Sequence, residues 1–181
     1  SSKLSFVGYG RALASMLLLC VCAADDAVHN WRIENADAIE GVWRIRSLKL
    51  FSDEACTLQL EAIHNVTGHA ISSDSMEMTG PEHAFAGRAF RGWTSDHDCP
   101  AHGCHIGFSF KVTSTVKCIF LQQDEGLHAS AVSLQKSEDA ADWREVTVWR
   151  PVDGGKAMLS LACPAQPKVA HGKVVHCEVV G

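Results

Sequence analysis

The densest chemistry in this chain is Asp96-His97-Asp98-Cys99-Pro100-Ala101-His102-Gly103-Cys104-His105. Two thiols and three imidazoles within ten residues could hold zinc, which takes Cys sulfur and His nitrogen at such spacings. The competing reading is a small loop closed by a Cys99–Cys104 disulfide, with His97 and His102 facing solvent. In an oxidising compartment thiols pair before they capture metal, so the disulfide is the favoured expectation and no metal is assigned. A site built from histidines alone is the weaker remainder.

Just upstream, Arg88 and Arg91 stand beside Phe90 and Trp93. The planar guanidinium fork suits carboxylates, sulfates and sugar hydroxyls. An indole face suits the C–H groups of a pyranose, although most Trp residues serve core packing. Arg88, Arg91, Trp93, His97 and His102 are therefore the candidate ligand-binding residues. Of the other tryptophans, Trp43 and Trp149 lie in strand patterns and are expected in the core.

A scaffold must hold these residues, and the remaining sequence reads as β. Ile106, Phe108, Phe110 and Val112 alternate with Gly107, Ser109 and Lys111, the period of a half-buried strand. Val116–Leu121 is apolar apart from Lys117, as in a central strand. Val132/Leu134 and Val146/Val148 alternate in the same way, and Met158–Leu161 suits a last strand. Between Trp43 and Phe51 the alternation changes phase, which predicts a bulge or bend. The stretch from Gly80 to Gly103 has few strand signals and reads as long loops, where binding usually sits. Many short strands with little helix predict an all-β sandwich or jelly roll.

The chain has 181 residues and a formal net charge of −5, without a Lys/Arg run. That excludes the concentrated basic surface a nucleic-acid partner requires. Lys3 and Arg11 precede the apolar run Ala12–Ala24, which is short for a membrane span and matches a secretory signal cleaved before Asp25. The organisation expected is a signal peptide at 1–24, a sandwich domain at 25–162 and a Cys-bounded tail at 163–181. Beyond the leader six cysteines remain, an even count that fits a disulfide framework in an exported chain. Cys56 with Cys118 bridges two strands in one reading and leaves a buried free thiol at Cys118 in the other. Asn65-Val66-Thr67 is a glycosylation sequon, usable only if the chain is exported. The expected location is secreted or lumenal. No nucleophile elbow, phosphate loop or H-E-x-x-H motif is present, so a non-enzyme is expected.

These segments, in this order, resemble the discoidin family, which includes the C-type domains of coagulation factors five and eight and galactose-binding modules. The likeness rests on Trp43-Arg44-Ile45 through Leu50-Phe51-Ser52-Asp53, and on Ala84-Phe85-Ala86-Gly87 with Trp93-Thr94-Ser95. It continues through Ile106-Gly107-Phe108-Ser109-Phe110, Val116–Leu121, and Val132-Ser133-Leu134-Gln135-Lys136-Ser137 with Trp143. It covers residues 31–162. The resemblance implies a discoidin-like jelly-roll β-sandwich with long loops at one end, binding sugars, phospholipid head groups or proteins without catalysis. Many carbohydrate-binding relatives hold a structural calcium at an Asp-Gly-Asp loop. Here Ala86-Gly87-Arg88 stands at that loop, which removes the hard oxygen donors and adds a cation; Glu82 and backbone carbonyls are what remain. No cofactor is therefore assigned, and a structural calcium held by Glu82 and backbone carbonyls is the remaining alternative.

The tail Cys163-Pro164-Ala165-Gln166-Pro167 onward resembles the opening of a sushi repeat. With only Cys163 and Cys177 available, it is either a truncated module or a small Cys163–Cys177 loop, the latter favoured. The partner expected is a glycan or glycoprotein, in adhesion or recognition. The alternative is an assembly subunit docking other extracellular proteins. A membrane surface ranks last, because no apolar loop cluster flanked by lysine is legible.

Overall fold

The computed structural model describes residues 27–87 and 91–161, and the backbone of 176–178. The expected signal peptide, Arg88 and Cys163 lie outside the described residues. The side chain of Cys177 lies outside them too.

The fold is all-β, built from two antiparallel sheets. The strands are β1 (Val28–Asn35), β2 (Arg44–Phe51), β3 (Gly68–Ser72), β4 (Trp93–Thr94) and β5 (His105–Ser114). They continue as β6 (Cys118–Gln123), β7 (Val132–Ser137), β8 (Arg144–Arg150), β9 (Gly155–Ser160) and β10 (His176–Glu178). One short helix, α1 (Glu82–Phe85), interrupts the long loop region before β4. A six-stranded sheet runs β10-β8-β7-β1-β5-β3, and a four-stranded sheet runs β4-β2-β6-β9. β10 brings part of the tail onto the edge of the larger sheet, pairing Cys177 with Trp149 through the backbone.

Alternation explains the packing. Trp31 and Ile33 of β1, Ile106 and Phe108 of β5, and Val132 and Leu134 of β7 face inward. They meet Ile45, Leu48, Leu50, Ile119 and Leu121 from the smaller sheet, and Trp43 just before β2, in one continuous core. The phase change in β2 is a register shift between Ile45 and Ser47 against β6, which keeps both Ile45 and Leu48 inward. The expected strands β2, β5, β6, β7, β8 and β9 all form, but the alternation fails at two places: Val112 at the end of β5 is exposed, and in β8 it is Trp149 that enters the core, while Val148 lies opposite Ser133 in a separate small cluster with Ala36 and Ala131. Trp43 and Trp149 are core residues. Trp43 Nε1 donates to Gln123 Oε1 at 2.6 Å, so the buried indole keeps a partner for its one donor.

Two disulfides fasten this frame. Cys56–Cys118 ties the loop after β2 to β6, and Cys99–Cys104 closes the histidine-bearing loop. Such bonds persist in an oxidising, secretory-type compartment. Among the described residues no helix is long and apolar enough to cross a membrane.

Candidate functional site

The face of the large sheet that turns away from the core is mostly polar, with Val148 opposite Ser133 as an apolar member. On β1 the residues alternating with Trp31 and Ile33 are Asn30, Arg32 and Glu34. Glu34 lies opposite His105 of β5, and Arg32 opposite Gln135 of β7. Register therefore brings these side chains together. Arg32 donates through Nη2 to Glu34 Oε1 at 3.0 Å and through Nε to Gln135 Oε1 at 2.7 Å. Glu34 Oε2 accepts from Gln135 Nε2 at 2.8 Å and from His102 Nδ1 at 2.9 Å. Beside them the Ser133 hydroxyl donates to Glu145 at 2.8 Å. Gly107 sits opposite Arg32; a Cβ there would overlap the Trp31 carbonyl and the Arg32 Cβ, so only glycine lets β5 approach this closely.

Two loops flank this face. At one end the β7–β8 connection places Trp143 with its ring 4.2 Å from the Arg32 guanidinium carbon, a cation–π contact. Trp143 is partly exposed and anchored by Nε1 donating to the Ala140 carbonyl at 3.1 Å. At the other end lies the disulfide loop. Its anchor is Asn35, fully buried at the end of β1. The Asn35 amide donates to the Pro100 carbonyl at 2.7 Å and the Asp37 carbonyl at 2.9 Å, and its Oδ1 accepts from the Cys104 N–H at 2.8 Å. Asn35 thus satisfies backbone groups that the tight loop leaves over.

The loop's two candidate histidines do not converge. His102 reaches back to Glu34 on the sheet face. His97 points to the other side, with Nδ1 2.6 Å from both Asp96 Oδ1 and Asp74 Oδ2. Its pKa is raised, first by the hydrogen bond with Asp96 and then by the charge of Asp74, against a smaller desolvation penalty. Asp74 Oδ2 is buried and takes no well-directed hydrogen bond among the described residues, so His97 is its counter-charge. Asp74, Asp96 and His97 offer one donor atom each within 4.8 Å of one another, the only such metal-compatible group among the described residues. Their 2.6 Å contacts, however, are direct ones. Donors around a cation at 2.0–2.2 Å stand about 3 Å or more apart, so this arrangement is an ion pair rather than an open coordination site. The thiols contribute nothing to metal binding, since Cys99 and Cys104 are bonded to each other.

Trp93 requires a correction. Expected from the sequence as a ligand contact, it is instead fully buried, packed edge-on against Trp43 with ring centroids 5.7 Å apart. Its Nε1 donates to the Asp74 carbonyl at 2.7 Å, so its task is to seat the loop that carries Asp74. The partly exposed indole is that of Trp143. Arg91 is exposed in the loop before Trp93. Glu82 lies 3.5 Å from His83 rather than facing an oxygen cage. Asn65 is exposed on a turn.

Electrostatics on the sheet face make an acid-sensitive element. Burial, and next the Arg32 charge, push His105 down to about 4. Burial also lowers Arg32 from its ordinary value, against the opposing pull of Glu34. For His105 the folded pKa is below the unfolded one near 6.5, so the unfolded chain takes the proton first. Its contribution is intact above pH of about 6.5 and is lost as pH falls toward about 4. We expect acidification across this window to cost about 2 kcal/mol at this ring, allowing for its partial exposure. His105→Gln should flatten the stability profile between those pH values in urea titrations. An unchanged profile would show that the ring is protonated freely in the folded state.

No family model, curated protein or solved structure matches this chain.

Proposed function

We propose that this chain is a non-catalytic, exported binding module that recognises carbohydrate or glycoconjugate, on the discoidin-like jelly-roll plan its sequence resembles. The observation that carries the reading is Trp143. It is a partly exposed indole held against Arg32, on a sheet face that also carries Glu34, Gln135 and Glu145 and is edged by His102. Sugars are bound by such sets, with ring C–H groups on an aromatic face and hydroxyls on fixed carboxylate, amide and imidazole groups. The disulfides support export, since both belong to an oxidising compartment.

A glycan array probed with the folded, disulfide-intact chain, with calcium and again with chelator, tests the reading. Selective binding is expected, indifferent to chelation. Trp143→Ala should weaken it about tenfold, the loss of one aromatic contact. Trp93→Ala is no test of ligand contact, because it removes a core residue. A blank array would overturn the sugar reading in favour of an assembly subunit that docks protein partners. One observation favours that second reading: Arg32, Glu34 and Gln135 already satisfy one another, as groups in a purely structural network do.

A further inference from the structure

β3 is an edge of the six-stranded sheet, paired on one side only, with β5. An open edge is a template for pairing with another chain, and folded proteins cover such edges. Here Ser73 N–H bonds to the His105 carbonyl and Lys111 N–H to the Thr67 carbonyl. By alternation the backbone groups of Gly68, Ala70 and Ser72 turn outward. The loop before β3 covers part of that edge. Asn65 N–H donates to the Gly68 carbonyl at 2.7 Å, and Ala70 N–H donates to His64 Nδ1 at 3.1 Å.

The same loop carries the sequon. Asn65 is exposed, with φ at 65°, a left-handed conformation that Asn tolerates. Its carboxamide makes no hydrogen bond among the described residues, whereas Thr67 is tied into the turn by accepting from Ile63 N–H at 2.9 Å. On either side stand Ile63 and Val66, 49% and 61% exposed. Two apolar side chains facing water beside an open sheet edge call for a cover.

We propose that Asn65 carries an N-linked glycan whose first sugars lie over Ile63 and Val66 and stand across the β3 edge, keeping the chain from pairing with its own copies. The inference rests on the proposed export of the chain. The transfer is a substitution without redox change. Asn65 Nδ2 bonds the anomeric carbon of an oligosaccharide carried on a lipid diphosphate. The carbon–oxygen bond to the diphosphate breaks, its electron pair leaves with the phosphate, and the amide proton passes to base. The fold then accommodates the product, because among the described residues nothing else engages the Asn65 carboxamide.

The test is expression of the full chain through a eukaryotic secretory pathway. Mass spectrometry of the Asn65 peptide should show a glycan-sized shift that peptide amidase removes and that Thr67→Ser, which keeps the acceptor pattern, retains. Amidase leaves Asp at the site, so the treated folded protein and the Asn65→Asp variant are the same chain reached by two routes. Both should sediment as faster, concentration-dependent species while the glycosylated chain stays a single slower one. Agreement between the two routes excludes misfolding of the variant as the cause. An exported, disulfide-bonded chain with unmodified Asn65 would overturn this inference and leave the binding-module reading standing. A glycan whose removal leaves sedimentation unchanged would overturn the shielding role. Retention of the chain inside the cell with reduced cysteines would instead overturn export itself.

Discussion

Arg32→Met is expected to destabilise the protein by about 3 kcal/mol, the cost of stranding a nearly buried carboxylate. Arg32 and Glu34 side chains are only 14% and 6% exposed, and they meet at 3.0 Å. Methionine keeps most of the aliphatic stem and so isolates the charge. After the change Glu34 keeps Gln135 and His102, neither of which supplies a permanent positive charge. Trp143 loses the cation beneath its ring at the same time. The decisive comparison is a double-mutant cycle in urea. In a Glu34→Gln background, where no buried charge is left over, the same substitution should cost about 1 kcal/mol. Equal costs in both backgrounds would mean that packing of the arginine stem, and not charge compensation, holds this face together.

Removing the Cys56–Cys118 bridge should cost more again. Its sequence separation is 62 residues, and on the chain-entropy account closing such a loop is worth about 4 kcal/mol. Cys99–Cys104 closes a separation of 5, worth about 2 kcal/mol on the same account. Paired alanine substitutions, Cys56→Ala with Cys118→Ala and Cys99→Ala with Cys104→Ala, are expected to rank in that order in chemical denaturation. The reverse order would show that the short loop contributes through native packing, with Asn35 as the natural suspect. The small bridge has a second effect, because its loss frees the loop backbone that presents His102.

Much of the scaffold was legible because apolar alternation survives wherever one sheet face is solvated, as in β5 (Ile106, Phe108, Phe110) and β7 (Val132, Leu134). Even the bulge in β2 was visible as a change of phase. β1 was missed, although Trp31 and Ile33 alternate there. Alternating with them stand Asn30, Arg32 and Glu34, types that read as surface, yet Asn30 is buried against the Ser137 and Glu138 carbonyls, and Arg32 and Glu34 are largely buried by compensating one another. That compensation depends on register with β5 and β7, which a single sequence does not display. Trp93 was misplaced for the opposite reason. It sits in a polar, loop-like stretch, and only the tertiary approach of Trp43 and the Asp74 carbonyl makes it core. His97 and His102 were legible as loop histidines, but their carboxylate partners, Asp74 and Glu34, carry no local signature.

The position of β1 also sets the order of events at the ribosome. It is the first described strand to be made, yet it ends in the middle of the large sheet between β5 and β7. Arg32 and its partner Gln135 are 103 residues apart. At about 5–20 residues per second, that strand waits roughly 5–20 seconds for its second neighbour to be synthesised. Throughout that interval Trp31 and Ile33 have no completed core to enter. Closure of the large sheet around β1 is therefore a late step, timed by the length of chain that separates β1 from β7.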